Sequence, residues 1–332
     1  MAEEGVVSTQ RRISITSSHG EKLAGVLHET GSKELVILCH GFRSSKNFKH
    51  PVYLVLVGIG TTGLVGGSEG VGERREESMG WGERERESEK HLPFFLLRSQ
   101  IVADSRRFSD LETFLEEKIL LNLASVLSRE GIGTFLFDFS GNGESEGNFQ
   151  YGNYRKEAGD LRSVIQHFLG EEREIIAIVG HSKGGNAVLL YASTYHDIKK
   201  VINISGRFAL DRGMEGRLGK NFMERVKEAG FIEVKDKLGT YRVTFESLMD
   251  RLSTDMHQAS LSIDKDCRVM TIHGSEDEIV PLEDAMDFAK LIPNHTLQII
   301  EGADHGYSNH QAELGSLVLD FIISNQVGGA SA

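Results

Sequence analysis

The sequence predicts an α/β domain built on a mostly parallel, doubly wound sheet with helices on both faces. Three observations carry that expectation. Short runs of β-branched and aliphatic residues, at 35–39, 134–139, 175–179 and 201–204, alternate with stretches of helical periodicity. The run 175–179 leads into Gly180-His181-Ser182-Lys183-Gly184, a serine flanked by glycines where a strand passes into a helix. Asp277 and His305 follow two later apolar runs, 268–272 and 296–300, at the carboxyl-terminal strand edge where open α/β sheets build sites.

Taken in chain order, residues 12–16 and 23–28 read as a pair of strands around the turn Ser18-His19-Gly20-Glu21, and 35–39 as a buried central strand. After the strand 134–139, Tyr154, Ala158, Leu161, Ile165 and Phe168 recur at helical spacing, with Arg155, Lys156, Glu157 and Asp160 assigned to the polar remainder of the cylinder. Strands at 201–204, 268–272 and 296–300 complete the series, the last two bracketing a helix at 282–291 that follows Pro281. A last helix is expected at 311–324. Residues 206–262 depart from this alternation. They are charged and helical in pattern, with Phe208, Phe222, Phe231, Tyr241 and Phe245, and read as a helical lid whose aromatic and Met side chains can line a pocket.

Residues 51–119 form an atypical insertion. Closely spaced glycines from Gly58 to Gly72 make backbone ordering costly, and 73–90 alternates Glu and Arg without apolar spacing, so disorder is expected, with a short helix near 110–121. Removing the insertion joins residue 50 to the good helix 121–127, as retained non-coding sequence would.

A formal net charge of −12 disfavours a general electrostatic attraction to nucleic acid or anionic lipid. The longest apolar stretch, 52–59, is too short to span a bilayer, and neither a secretory signal nor a transit peptide is visible at residues 1–10. The two cysteines, Cys39 and Cys267, lie beside strand-like runs and read as buried core thiols of a reducing, cytoplasmic compartment rather than a disulfide. Neither a zinc spacing nor a phosphate-binding loop occurs, so metal and nucleotide chemistry lose support, and the anticipated partner is a small molecule.

The chemistry-bearing residues follow from what a serine hydroxyl needs. It is a weak nucleophile at neutral pH and requires a base, which in turn requires an acid to fix its tautomer. Ser182 is the candidate nucleophile, His305 the base and Asp277 the acid, with Glu276, Glu278 and Asp304 as rivals for the last place. Gly180 and Gly184 supply the small residues a strained turn demands. An oxyanion needs backbone donors, and the amides of Phe42 and Lys183 occupy the expected positions. Gly41 lets the backbone after the strand turn inward, and the Phe42 ring can face pocket or core. The Lys183 side chain reads as a solvated group at a helix start, with a catalytic cation as the alternative.

With His40-Gly41-Phe42, Phe137-Asp138-Phe139-Ser140-Gly141-Asn142-Gly143-Glu144-Ser145, the serine turn, His273-Gly274-Ser275-Glu276-Asp277 and Glu301-Gly302-Ala303-Asp304-His305, the chain resembles the α/β-hydrolase superfamily. Within it the resemblance is to cinnamoyl or feruloyl esterases and serine-aminopeptidase-like hydrolases, and it covers residues 11–50 and 120–325. It implies an eight-stranded sheet, a helical lid after the sixth strand, no cofactor, and a shaping loop around Asp138. The implied activity is cleavage of a small carboxylic ester through an acyl-enzyme. The alternatives are amide hydrolysis, or a triad-retaining small-molecule receptor with little turnover.

Overall fold

The computed structural model describes residues 9–44, 108–236 and 239–324. The chain divides into two units, Met1–Phe48 with Arg106–Ala332, and Lys49–Ser105; every described residue belongs to the first. Residues 51–107 of the expected insertion lie outside the described residues.

Strands β1 (Thr9–Thr16) and β2 (Lys22–Glu29) pair antiparallel around the expected turn, in which Gly20 adopts φ 87°. Strand β3 (Glu34–Cys39) follows, and the next described helix, α1, runs Phe108–Arg129. This helix takes in both the short helix expected near 110–121 and the helical stretch 121–127, as one continuous element. Its buried stripe of Ile119, Leu120, Leu123, Ala124 and Leu127 anchors it, and the Leu-, Glu- and Lys-rich sequence before that stripe propagates an established helix at little cost.

Strand β4 (Gly133–Phe137) and helix α2 (Tyr154–Gly170) precede β5 (Glu174–His181) and α3 (Lys183–Tyr195), which meet at Ser182. Then come β6 (Lys200–Ile204), the lid, β9 (Arg268–Gly274), α8 (Leu282–Leu291), β10 (His295–Ile300) and α9 (Gln311–Ile323). The main sheet has eight strands in the order β1-β2-β4-β3-β5-β6-β9-β10. Strand β2 runs antiparallel to β1 and β4, and every pair from β4 through β10 is parallel.

The alternation of a strand explains the two covered faces. On β3, Leu35, Ile37 and Cys39 join a core with α2 and α3 residues such as Leu161, Ile165 and Leu189. Val36 and Leu38 point oppositely, into a core with Leu123 of α1 and Val318 of α9. Both cysteines are buried and free.

The lid departs from the expectation of a purely helical segment. Its short helices α4 (Met214–Leu218) and α5 (Phe222–Ala229) lead into an antiparallel pair, β7 (Phe231–Asp236) and β8 (Gly239–Thr244), before α6 (Phe245–Ser253) and α7 (Met256–Ser262). The pair forms because Ile232, Tyr241 and Val243 alternate with charged residues and bury their side chains with Met214, Leu218, Val226 and Leu248 in a separate lid core. Thr244 caps α6 by accepting from Ser247 N.

The polar face assigned to α2 is also corrected. Glu157 and Asp160 are 3% and 0% exposed. Glu157 stands three residues after Tyr154 and four before Leu161, and Asp160 four before the buried Val164, which leaves both flanking the apolar stripe rather than opposite it. Asp160 Oδ2 accepts from Ser140 N at 2.9 Å, and Glu157 has a partner described below. Among the described residues no helix is long and apolar enough to cross a membrane.

Candidate active site

Ser182 sits where β5 turns into α3, with φ 55° and ψ −119°, a backbone conformation that a non-glycine residue adopts only at a cost. The flanking glycines make the turn sterically possible. A β-carbon on Gly180 would lie 2.1 Å from Gly184 O, and one on Gly184 would lie 2.4 Å from Cys39 O. Ser182 N donates to Ile204 O at 2.8 Å, so the turn is fixed to the end of the neighbouring strand β6. The serine is half-buried, and the N-terminus of α3 begins at the next residue.

Asp277 and His305, distant in sequence, are brought together by the parallel pairing of β9 and β10. His305 Nδ1 donates to Asp277 Oδ2 at 2.7 Å, with side chains 6% and 0% exposed. The other carboxylate oxygen accepts from the amides of Ile279 and Val280 at 2.9 and 2.8 Å. Burial raises the Asp277 carboxyl, but the His305 hydrogen bond and charge outweigh it and hold the group down to about 2. Its rivals are placed elsewhere. Glu276 and Glu278 are exposed, and Asp304 accepts from Ser308 N and Oγ at 2.8 and 2.6 Å.

His181 joins the serine turn to His305. Its Nε2–H donates to His305 O at 3.0 Å and the two rings lie 4.8 Å apart. Burial, followed by the nearby His305, pushes the His181 imidazole down to about 3. The unfolded chain therefore binds a proton here that the folded chain refuses between pH 6.5 and about 3. Stability contributed by neutral His181 is present above pH 6.5 and declines on acidification. Relative to His181→Gln, the wild type should lose about 2 kcal/mol between pH 6.5 and 5, measured as the difference between their urea-unfolding free energies at each pH.

Tyr307 braces the same edge. Its hydroxyl donates to Ile272 O at 3.2 Å and accepts from Ser205 Oγ at 2.9 Å, and the side chain is fully buried. The loop after β3 is tied to the loop after β4 through His40, whose Nε2 accepts from Phe139 N at 3.1 Å, which puts the proton on Nδ1, donating to Gly41 O at 2.8 Å. Asp138 shapes the latter loop: Oδ2 accepts from Glu144 N at 2.8 Å, and its carbonyl from Ser145 Oγ at 2.6 Å.

The Phe42 ring faces the lid core. It meets Phe149, Tyr151 and Tyr241 edge-on at 5.2, 5.7 and 5.9 Å, and the Arg217 guanidinium lies 4.6 Å from its centroid. The solvated reading of Lys183 is wrong. Its side chain is 6% exposed and its Nζ donates to Glu157 Oε1 at 2.5 Å. Sequence reasoning missed Glu157, His181 and Tyr307; for Glu157, a position adjoining the apolar stripe of α2 was the available signal.

Strand order, the strained serine turn and the Asp277–His305 bond at the ends of β9 and β10 can be set beside known proteins. A sequence model described as "Serine aminopeptidase, S33" matches residues 118–258. The structure of ferulic-acid-bound Est1E from Butyrivibrio proteoclasticus superposes with TM-score 0.63 at 18% identity, covering 94% of this chain and 100% of that one. The α/β hydrolase GrgF from Penicillium sp. sh18 gives TM-score 0.63 at 15% identity, covering 95% of this chain and 98% of that one. This chain has the α/β-hydrolase fold. Mitochondrial palmitoyl-protein thioesterase ABHD10 of Bos taurus is 26% identical over 180 residues, 51% of this chain and 56% of that protein. The chain spans 66% and 56% of the lengths of two curated relatives it matches.

Proposed function

We propose that this protein is a serine hydrolase that cleaves small carboxylic esters through an acyl-enzyme. The observation carrying the reading is the buried Asp277–His305 hydrogen bond of 2.7 Å, one contact away from the serine turn through His181. In this reading Ser182 Oγ attacks the ester carbonyl and gives its proton to His305 Nε2, the nitrogen turned away from Asp277. Asp277 fixes the tautomer and stabilises the imidazolium. The Phe42 and Lys183 amides hold the oxyanion of the tetrahedral intermediate, with the α3 N-terminus adding its dipole. His305 then protonates the departing alcohol, and a water repeats the sequence to release the acid.

Aminopeptidase activity is the competing reading. It needs a carboxylate directed at the substrate ammonium; Glu215, Glu224, Glu228 and Glu233 of the lid are exposed, while Asp236 is paired with Arg43 at 2.9 Å, so the amide arm of the substrate panel is what separates the two. A thioester belongs in the same substrate panel, because a relative carries a thioesterase name. The test is labelling with a fluorophosphonate, mapping of the adduct, and an ester, thioester and amide panel on the labelled preparation. The expected result is a stoichiometric adduct on Ser182 and multiple turnovers on short-chain p-nitrophenyl esters. An unlabelled Ser182 would remove the nucleophile assignment, and one turnover per molecule would favour the receptor reading.

A further inference from the structure

The side chain of Lys183 lies at the centre of a buried polar cluster that the ester chemistry does not use. Its ammonium is 2.5 Å from Glu157 Oε1 and 5.0 Å from the centroid of the Tyr154 ring, so it is held by two residues of the first turn of α2. The Tyr154 hydroxyl accepts from Arg251 Nη1 of the lid helix α6, and Arg251 Nε donates to Leu210 O at 2.8 Å. The neighbouring Asp250 accepts from Tyr154 N at 2.9 Å. One cluster therefore joins the residue after the serine, the start of α2 and the lid.

Stability alone is a poor reason for charges here. Burial raises the Glu157 carboxyl to about 7 against the pull of Lys183, and burial lowers the Lys183 ammonium against the pull of Glu157. Each group loses hydration that its partner only partly restores, and apolar pairs of similar volume often serve a core equally well. An ion pair does supply direction. The Lys183 stem is fixed at both ends, at the strained turn and at Glu157, which restrains rotation of the peptide group whose N–H starts α3.

We infer that Glu157 is a positioning residue, anchoring Lys183 Nζ so that the Lys183 amide stays aimed at the oxyanion, with Tyr154 and Arg251 tying that anchor to the lid. The inference rests on the proposed oxyanion role of that amide. A misdirected donor weakens binding of the tetrahedral intermediate and leaves ground-state binding largely intact, so the loss falls on kcat rather than KM.

The experiment compares wild type, Glu157→Gln, Lys183→Met and the double variant Glu157→Leu/Lys183→Met, measuring kcat, KM and the urea midpoint with one p-nitrophenyl ester. The singles should be destabilised and slow. The double variant should regain the wild-type midpoint yet keep kcat about 10- to 100-fold low, with KM within about twofold, part of the loss seen when an oxyanion donor is deleted. Recovery of kcat together with stability would make the pair core packing and overturn the inference. Should the double variant not fold, Glu157→Gln decides: wild-type kcat overturns the inference, and a selective fall in kcat supports it. Fluorophosphonate labelling of the wild type separates the two levels. If Ser182 is not labelled, the hydrolase reading fails and this inference with it; if it is labelled and the double variant turns over normally, this inference fails alone.

Discussion

Ser182→Ala is expected to lower kcat on a p-nitrophenyl ester by about 100,000-fold or more, equivalent to about 7 kcal/mol of activation free energy, while leaving the fold intact. The size follows from the removal of the only atom that can form the acyl bond in the proposed reaction. The fold should survive because the turn is imposed by backbone sterics: Gly180 and Gly184 are packed against main-chain atoms, and Ser182 N is bonded to Ile204 O at 2.8 Å. Alanine retains all of these contacts. The residual rate should lie above that of the uncatalysed reaction, since the oxyanion donors and substrate binding remain. Steady-state assays under active-site titration, with near-ultraviolet circular dichroism to check the fold, provide the measurement. A variant within tenfold of wild type would exclude Ser182 as the nucleophile.

Much of the frame was readable because its causes are local. The strands of the main sheet announce themselves as apolar runs, since parallel strands are buried on both faces. The serine turn was readable for a steric reason, the intolerance of a β-carbon at Gly180 and Gly184. Asp277 and His305 could be nominated because each follows a strand directly, yet their pairing depends on β9 and β10 being neighbours, which only the assembled sheet provides.

Buried charge was the main failure. Whether Glu157 or Lys183 is solvated depends on a partner 26 residues away and on a lid helix later still, so residue type misleads at both positions. The lid pair was missed for another reason. Ile232 and Val234, then Tyr241 and Val243, do alternate with polar residues, but the strands are short and their charged neighbours also suit a helix. The Phe42 ring was undecidable in advance, because its partners Phe149, Tyr151 and Tyr241 come from a loop and a lid strand that no local pattern brings together.

Asp277→Asn is expected to lower kcat by about 10,000-fold with little change in geometry. The carboxylate has two separate tasks. Oδ1 accepts from the Ile279 and Val280 amides, and Oδ2 accepts from His305 Nδ1. An asparagine satisfies the first task only by keeping its oxygen on the loop amides, which turns its NH2 toward His305. Two donors cannot share that bond, so the imidazole adopts the tautomer with its proton on Nε2, and the lone pair needed to take the serine proton is lost. The same substitution tests the charge of Asp277 through stability. Because the folded carboxyl is held at about 2, below its ordinary 3.8, its contribution is fully present above pH 4 and is lost as pH falls toward 2. The wild type should therefore lose about 2 kcal/mol relative to Asp277→Asn across that interval, read from urea unfolding at matched pH. Activity loss with an unchanged acid-stability difference would mean that Asp277 carries no stabilised charge, and the tautomer argument would fail at its first step.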